Sequence, residues 1–172
     1  MILLVPIGPV PIYLIAWLED KLGSFIDRPV KLGRAVPLPR TGYDSERQQY
    51  DGRAVIELLS AIESPEAERL VGLIDQDCYS SGLDFIFGQA APGGRETFVA
   101  LPRLRPPCPG MEEDKNLFRD RVLKEIVHEL GHTWGFSHCD QPGCVMRFSN
   151  SVQDTDEKTP EFCCKCRGKL AR

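Results

Sequence analysis

Histidine is scarce: the 172 residues hold three. Basic charge is not in excess either, since 21 Lys and Arg stand against 25 Asp and Glu, for a formal net charge of -4. The broad basic footprint of a nucleic-acid-binding domain is therefore lacking, and no nucleic-acid partner is expected. Uninterrupted apolar runs are lacking as well. Met1 to Leu18 carries no charged side chain, yet Pro6, Gly8, Pro9 and Pro11 break it. Prolines there strip backbone hydrogen bonds that lipid cannot replace. No Lys or Arg precedes the run, as a secretory signal would need. Neither a membrane span nor a signal peptide is expected, and the expected location is the cytoplasm. A phosphate-cradling glycine loop of the usual form is missing too. What is present is ordinary for a folded domain, 42% hydrophobic and 27% charged residues, which excludes wholesale disorder.

The length fits one domain with a core of its own, expected as a monomer. The spacing predicts a buried strand over Ile2 to Ile7, a proline-rich turn, and a helix from about Val10 to Leu22. Pro29 to Val36 reads as a short strand and Arg40 to Gly52 as an exposed polar loop. Ala54, Leu58, Ala61 and Ile62 stand at helical spacing within Arg53 to Ile62. Leu70 to Ile74 is a continuous apolar run, the mark of a buried strand. Asp84 to Gln89 and Glu96 to Leu101 read as two more strands around a turn at Ala90 to Gly94. After Pro106, Pro107 and Pro109, the acids Glu112, Glu113 and Asp114 open a long helix that runs to about Trp134. An irregular cysteine-bearing tail follows. The order predicts an α+β fold, a mixed sheet with helices packed on it.

All three histidines fall within eleven residues. The chain reads His128-Glu129-Leu130-Gly131-His132-Thr133-Trp134-Gly135-Phe136-Ser137-His138. His128 and His132 stand one turn apart on a single helix face, so two imidazoles can reach one ion. Glu129 leans over the same edge, placed to take a proton from a water on the metal rather than to bind the metal. Gly135 can adopt the left-handed conformation that stops a helix. The chain then doubles back and brings His138 to the ion as a third ligand. Three neutral imidazoles leave a position open for water, the arrangement of a catalytic zinc. With every histidine committed here, none is left for a separate Cys-His nucleophilic pair.

The seven cysteines form a second pattern. Cys139 and Cys144 make C-x4-C, and Cys163 and Cys166 make C-x2-C. Two thiolate pairs separated by a loop are the spacing of a closed structural zinc site, and a cytoplasmic protein favours thiols over disulfides. Such a site would supply folding energy to a polar tail. Cys164 could replace Cys163 by a small register shift. Cys78 and Cys108 read as plain thiols.

H-E-x-x-H-x-x-G-x-x-H resembles the metzincin zinc-protease signature. Its continuation H-C-x4-C-x-M with a later C-x-x-C is similar to one branch, the archaemetzincins. The pattern spans His128 to Cys166, and the interval from Met146 to Cys163, Arg147 to Phe162, is sixteen residues. The resemblance implies a zincin-like metzincin fold: a mixed twisted sheet with an antiparallel edge strand, a long active-site helix, and a small Cys-rich, zinc-bound C-terminal region. A single catalytic domain would cover residues 1-172, its upper subdomain residues 1-135 and its lower subdomain residues 136-172. His128, His132 and His138 would hold the catalytic zinc, Glu129 would be the general acid/base, and Met146 would be the Met-turn methionine beneath the metal. Cys139, Cys144, Cys163 and Cys166 would hold a second, structural zinc, giving two ions per chain. By the same analogy an edge strand, Asp84 to Ala90, would pair with a substrate backbone. Some metzincins carry a tyrosine two residues after the methionine; here that residue is Phe148, which has no hydroxyl.

Two functions follow from these residues. One is a zinc-dependent metallopeptidase hydrolysing peptide bonds of a peptide or protein substrate through a zinc-bound water. The other is a non-catalytic, zinc-stabilised peptide-binding protein with a weakly metallated histidine site. Retention of zinc with loss of turnover in Glu129→Ala marks the first.

Overall fold

The structure, a computed structural model, describes residues 1-106 and 114-170. Pro107, Cys108, Pro109, Glu112 and Glu113 lie outside the described residues. The chain begins with β1 (Ile2–Ile7), α1 (Ile12–Ile26), β2 (Val30–Leu32), β3 (Tyr43–Asp44), β4 (Gln49–Asp51) and α2 (Gly52–Ser60). It continues with β5 (Arg69–Ile74), β6 (Cys78–Ser80), β7 (Leu83–Ile86), β8 (Gly88–Ala90) and β9 (Glu96–Ala100). A 3-10 turn (Pro102–Leu104) leads towards α3 (Lys115–Thr133), followed by α4 (Val152–Glu157) and α5 (Cys164–Leu170). The fold is α+β, as the element order predicts.

The main sheet has five strands in the order β2-β1-β5-β9-β8. Its first four strands run parallel and β8 returns antiparallel at the edge. Strand periodicity sorts β1 between two cores. Ile2 and Leu4 face a cluster with Leu14, Leu18 and Leu22 of α1 and Val122, Ile126, Val127 and Leu130 of α3. Val5 and Ile7 face a second cluster with Val55 and Leu59 of α2. Each such side chain, fully removed from water, contributes about 1.5–3 kcal/mol. The sheet is thus covered on both sides, and α3 lies under its β8–β9 end.

α3 carries the site, and its start is fixed locally. The Asp114 carboxylate accepts from the backbone N–H groups of Asn116 and Leu117, which satisfies two donors of the first turn. Arg121, Lys124 and Glu125 are buried although charged, because they meet α4. Arg121 pairs with Asp156 in a fork of two 2.7 Å bonds. Lys124 Nζ reaches the Asp156 carbonyl at 3.3 Å, and Glu125 pairs with Lys158 just beyond the helix.

The structure differs from the sequence expectations in several places. Arg40 to Gly52 is not one exposed loop: β3 and β4 pair antiparallel within a smaller four-stranded sheet, β3-β4-β6-β7. Gln49 is buried there because its amide donates to Asp77 and to the Asp84 carbonyl at 2.9 Å each, so its polarity hides its burial. β6 has no counterpart among the expected strands. The Asp84 to Gln89 strand divides at Phe87 into β7 and β8, which belong to different sheets. Pro29 to Val36 contributes only three strand residues and a single bridge, Val36 to Ile7. The cysteine-bearing tail is not irregular throughout, since α4 and α5 form in it. No helix among the described residues is long and apolar enough to cross a membrane.

Candidate metal centre and active site

The last turns of α3 bring His128 and His132 together. His128 Nδ1 lies 2.7 Å from the Val145 carbonyl oxygen, and His132 Nδ1 lies 2.8 Å from that of Phe136. A carbonyl only accepts, so each Nδ1 carries the ring proton and donates it. Burial pushes the His128 pKa down to about 3, with Lys158 acting the same way, so this ring is neutral. In neutral rings of this tautomer both Nε2 atoms hold lone pairs, and here they face each other at 3.1 Å. Two acceptors at that distance with no proton between them repel, and a cation relieves the conflict. Nitrogens bound to one tetrahedral zinc stand about 3.3 Å apart, so the donor set fits that metal.

Gly135 has φ +85°. It ends the helix in a conformation that costs other residues strain, and the chain turns back so that His138 joins the pair. The ligand nitrogens of His128, His132 and His138 all lie within 4.8 Å of one another. His128 is buried, His132 half-buried and His138 exposed, so the centre opens to one side. Burial, then the neighbouring His132, lowers the His138 pKa.

Glu129 points beneath β8. A Cβ at Gly88 would come within 2.7 Å of Glu129 Cγ and 2.6 Å of the Phe98 carbonyl, so only a glycine lets the carboxylate pass the strand. Glu129 is buried. Burial, then the Glu125 carboxylate, pushes its pKa well above the usual carboxylate range, while Lys158 pulls the other way. A carboxylate with its pKa raised in this way is a stronger base than an ordinary one, which suits it to proton transfer. Met146 is fully buried, and its sulfur lies where a Cβ at Gly131 would collide with it.

A cleft of about 420 Å³ runs over these groups. Its walls come from the β7–β8 segment on one side and Phe148, Ser149 and Asn150 on the other, with Glu129 and the imidazoles between them. β8 is the sheet's edge strand, so the predicted edge segment is indeed at the cleft. Phe87 is largely core, whereas Phe85 is only partly buried.

The four predicted cysteines also meet. Cys139, Cys144, Cys163 and Cys166 form one cluster, buried except for Cys163. Cys139 and Cys163 sulfurs stand 3.9 Å apart, as do those of Cys144 and Cys166. That is far beyond a disulfide and close to the roughly 3.8 Å between sulfurs on one tetrahedral zinc. The Cys166 backbone N–H, foremost, lowers the Cys163 thiol to about 7. Cys164 is exposed and outside the cluster, whereas Cys163 is part of it. Cys78 is buried in the second core, where desolvation raises its thiol to about 12.

Sequence reasoning missed four supporting groups. The Val145 and Phe136 carbonyls that orient the rings are backbone atoms with no sequence signal. Glu125 and Lys158 form a buried pair at 3.0 Å behind the site. Glu125, one turn before Glu129, could have been noticed; Lys158, across a fold-dependent interface, could not.

The model of Peptidase family M54 matches residues 29–172. The chain belongs to this family. Archaemetzincin from Pyrococcus abyssi is 41% identical over 178 residues, covering 100% of this chain and 95% of its own. A crystal structure of archaemetzincin from Methanopyrus kandleri is 36% identical with a TM-score of 0.85, covering 100% of this chain and 96% of that one. A zinc-dependent peptidase from Methanocorpusculum labreanum matches with a TM-score of 0.88 at 28% identity, covering 99% of this chain and 100% of that one. This member of the archaemetzincin family is accordingly a zinc-dependent metallopeptidase acting on peptide or protein substrates. The non-catalytic alternative is set aside.

Proposed function

We propose that His128, His132 and His138 hold a catalytic zinc, that Glu129 is the general acid/base, and that Cys139, Cys144, Cys163 and Cys166 hold a second, structural zinc. The observation that carries this reading is the 3.1 Å approach of the His128 and His132 Nε2 atoms while both Nδ1 protons are donated to carbonyls. When bound, zinc supplies a Lewis acid that acidifies water and polarises a carbonyl.

The chain's own residues do the rest. Val145 and Phe136 hold the rings so that their lone pairs point inward. β8 offers its free edge to an extended peptide by strand addition, which gives affinity with little dependence on side chains. Glu129, between the imidazoles and that strand, accepts the proton of the attacking water as the carbon–oxygen bond forms. It then gives that proton to the leaving nitrogen as the carbon–nitrogen bond breaks. Phe148 packs 4.9 Å from the His138 ring and, without a hydroxyl, takes no part in proton or charge transfer. We place the protein in the cytoplasm, where the four thiols stay reduced and able to bind metal. Residues 1-135 and 136-172 act as upper and lower halves of one domain, with the cleft between them.

The test pairs metal content with cleavage of an unbiased peptide library read by mass spectrometry, parent beside Glu129→Gln. Two zinc ions per chain are expected in both. Turnover is expected to fall by about 10²-fold or more in the variant, the range for loss of a general base. Undiminished cleavage by Glu129→Gln would sink the assignment.

A further inference from the structure

The Glu125–Lys158 pair has more than a packing role in its arrangement. Lys158 is 1% exposed and Glu125 is 4% exposed at their side chains, and the ammonium also donates to the Arg147 carbonyl at 3.2 Å. Both the Lys158 ammonium and the Thr155 hydroxyl donate to a single Glu125 oxygen, Oε1, at 3.0 and 2.9 Å. Oε2 has no partner among the described residues. It is also not among the side-chain atoms sealed from solvent without a partner, which are Gln89 Oε1 and Arg119 Nε. Glu125 lines the substrate cleft, and Oε2 is the oxygen of its carboxyl group not engaged by Thr155 or Lys158.

The charge of the cleft points the same way. Asp84, Glu125 and Glu129 line it, and no lysine or arginine does among the described residues. The cations nearby are turned away or already bound. Lys158 lies behind Glu125, and Arg103, 4.3 Å over the Phe85 ring, is tied to Asp77 at 2.7 Å. The flanks at Phe85, Ile86 and Phe148 are apolar. Apolar flanks with an unpaired carboxylate oxygen at the end suit a side chain with an aliphatic stem and a cationic head. A metal at the imidazoles would carry the same sign as such a head group, and the acidic side chains of Asp84, Glu125 and Glu129 along the cleft offset that repulsion.

We propose that Glu125 is a specificity-determining residue that seats a lysine or arginine of the substrate, next to the scissile bond, in the cleft beside Glu129. The inference rests on the catalytic reading above and names the substrate class for the same site. Lys158, together with Thr155, fixes the orientation of the Glu125 carboxyl group through Oε1. It neutralises one oxygen's share of charge and leaves the other to accept from the incoming head group.

The experiment uses the zinc-loaded full chain and peptides that differ only in carrying lysine, norleucine or glutamate at the positions flanking the bond. A charge-assisted bond in a partly desolvated site corresponds to a preference of about tenfold or more. The lysine peptide is therefore expected to exceed the norleucine peptide at least tenfold in kcat/KM at one position, with glutamate lowest. Glu125→Gln is expected to reduce that ratio to within about twofold. Because it leaves Lys158 buried without a counter-charge and can fail to fold, Glu125→Gln/Lys158→Met is measured beside it, and the same collapse of the ratio is expected. A ratio at or below one in the parent overturns the proposal, as does a ratio unchanged in the double variant. Affinity of the same peptides for zinc-loaded Glu129→Gln, read by calorimetry, separates the two levels. Absence of all cleavage by the parent counts against the catalytic reading, whereas equal affinity for the lysine and norleucine peptides overturns the selectivity whether or not turnover is seen.

Discussion

The histidine centre and the cysteine centre are built by opposite strategies. Two of the three histidines stand on α3, and backbone carbonyls orient their rings. The four cysteines sit on the segment from 139 to 144 and at the start of α5, on irregular chain that meets the apolar core through Val145, Met146 and Phe162. The helix presents its ligands whether or not an ion is there. The cysteine segments have core contacts and a few backbone bonds but no long element, so a metal bound there would supply a larger share of the local folding energy. The centres are also connected through the chain. Cys139 follows His138, its N–H donates to the Met146 carbonyl at 2.9 Å, and Cys144 precedes Val145, whose carbonyl orients His128. Binding at the two centres is therefore linked reciprocally, and they differ in how much local folding each metal would carry.

The sharpest way to break that asymmetry is to remove one ligand from each. Cys144→Ser is expected to lose the lower metal, to make residues 136–172 readily cleaved by an added protease, and to lower stability by more than about 5 kcal/mol, given the scale of structural zinc binding. It should also weaken zinc at the histidines at least about tenfold, as loss of an orienting partner does. His132→Gln should lose the upper metal and turnover while the lower metal and protease resistance remain. Native mass spectrometry and limited proteolysis read both; equal damage from the two substitutions would remove the difference between the centres.

Protonation offers a second, smaller probe. In the metal-free protein the His128 pKa is depressed from 6.5 to about 3, so between those values the unfolded chain binds more protons than the folded one. Stability then rises with pH through that window and is lost as pH falls, at up to about 1.4 kcal/mol per pH unit. Urea unfolding of the metal-free chain at pH 7 and at about pH 4.5 should differ by about 2 kcal/mol from this residue, and the difference should vanish in His128→Gln. Zinc should not remove it, because the folded ring is unprotonated with or without the ion while the unfolded ring still takes up a proton. A His128→Gln variant with the same pH slope as the parent would contradict the assignment.

Gly135→Ala is the mildest test. Nothing lies near its Cβ position, so only backbone strain at φ +85° opposes the change, worth about 1–2 kcal/mol. The loss should appear in the urea midpoint and in zinc affinity at the histidines, with the cysteine centre untouched.

Much of this is legible in the chain. The His128-to-His138 spacing and the two cysteine pairs are short-range patterns, and helix periodicity converts them directly into proximity. Long apolar runs such as Leu70 to Ile74 announce the central strands. The 40–52 region reads as a loop because Gln49, Tyr50 and Asp51 look solvent-bound until Asp77 and the Asp84 carbonyl arrive to satisfy the glutamine amide. The break between β7 and β8 is equally hidden, since a strand that changes sheets keeps the same local pattern on both sides.

The sequence by itself determined the ligand chemistry, because ligand type and spacing fix which donors a helix turn or a tight loop can bring to one point. It also determined the parallel core, because only apolar residues can fill it. The tertiary structure alone decided what surrounds those donors. Which carbonyls hold the imidazoles, which glycine lets Glu129 beneath the edge strand, and which lysine stands behind Glu125 depend on segments well separated in the chain meeting in space. Local patterns carry no record of such meetings; burial, which makes each buried charge find a partner, is what selects them.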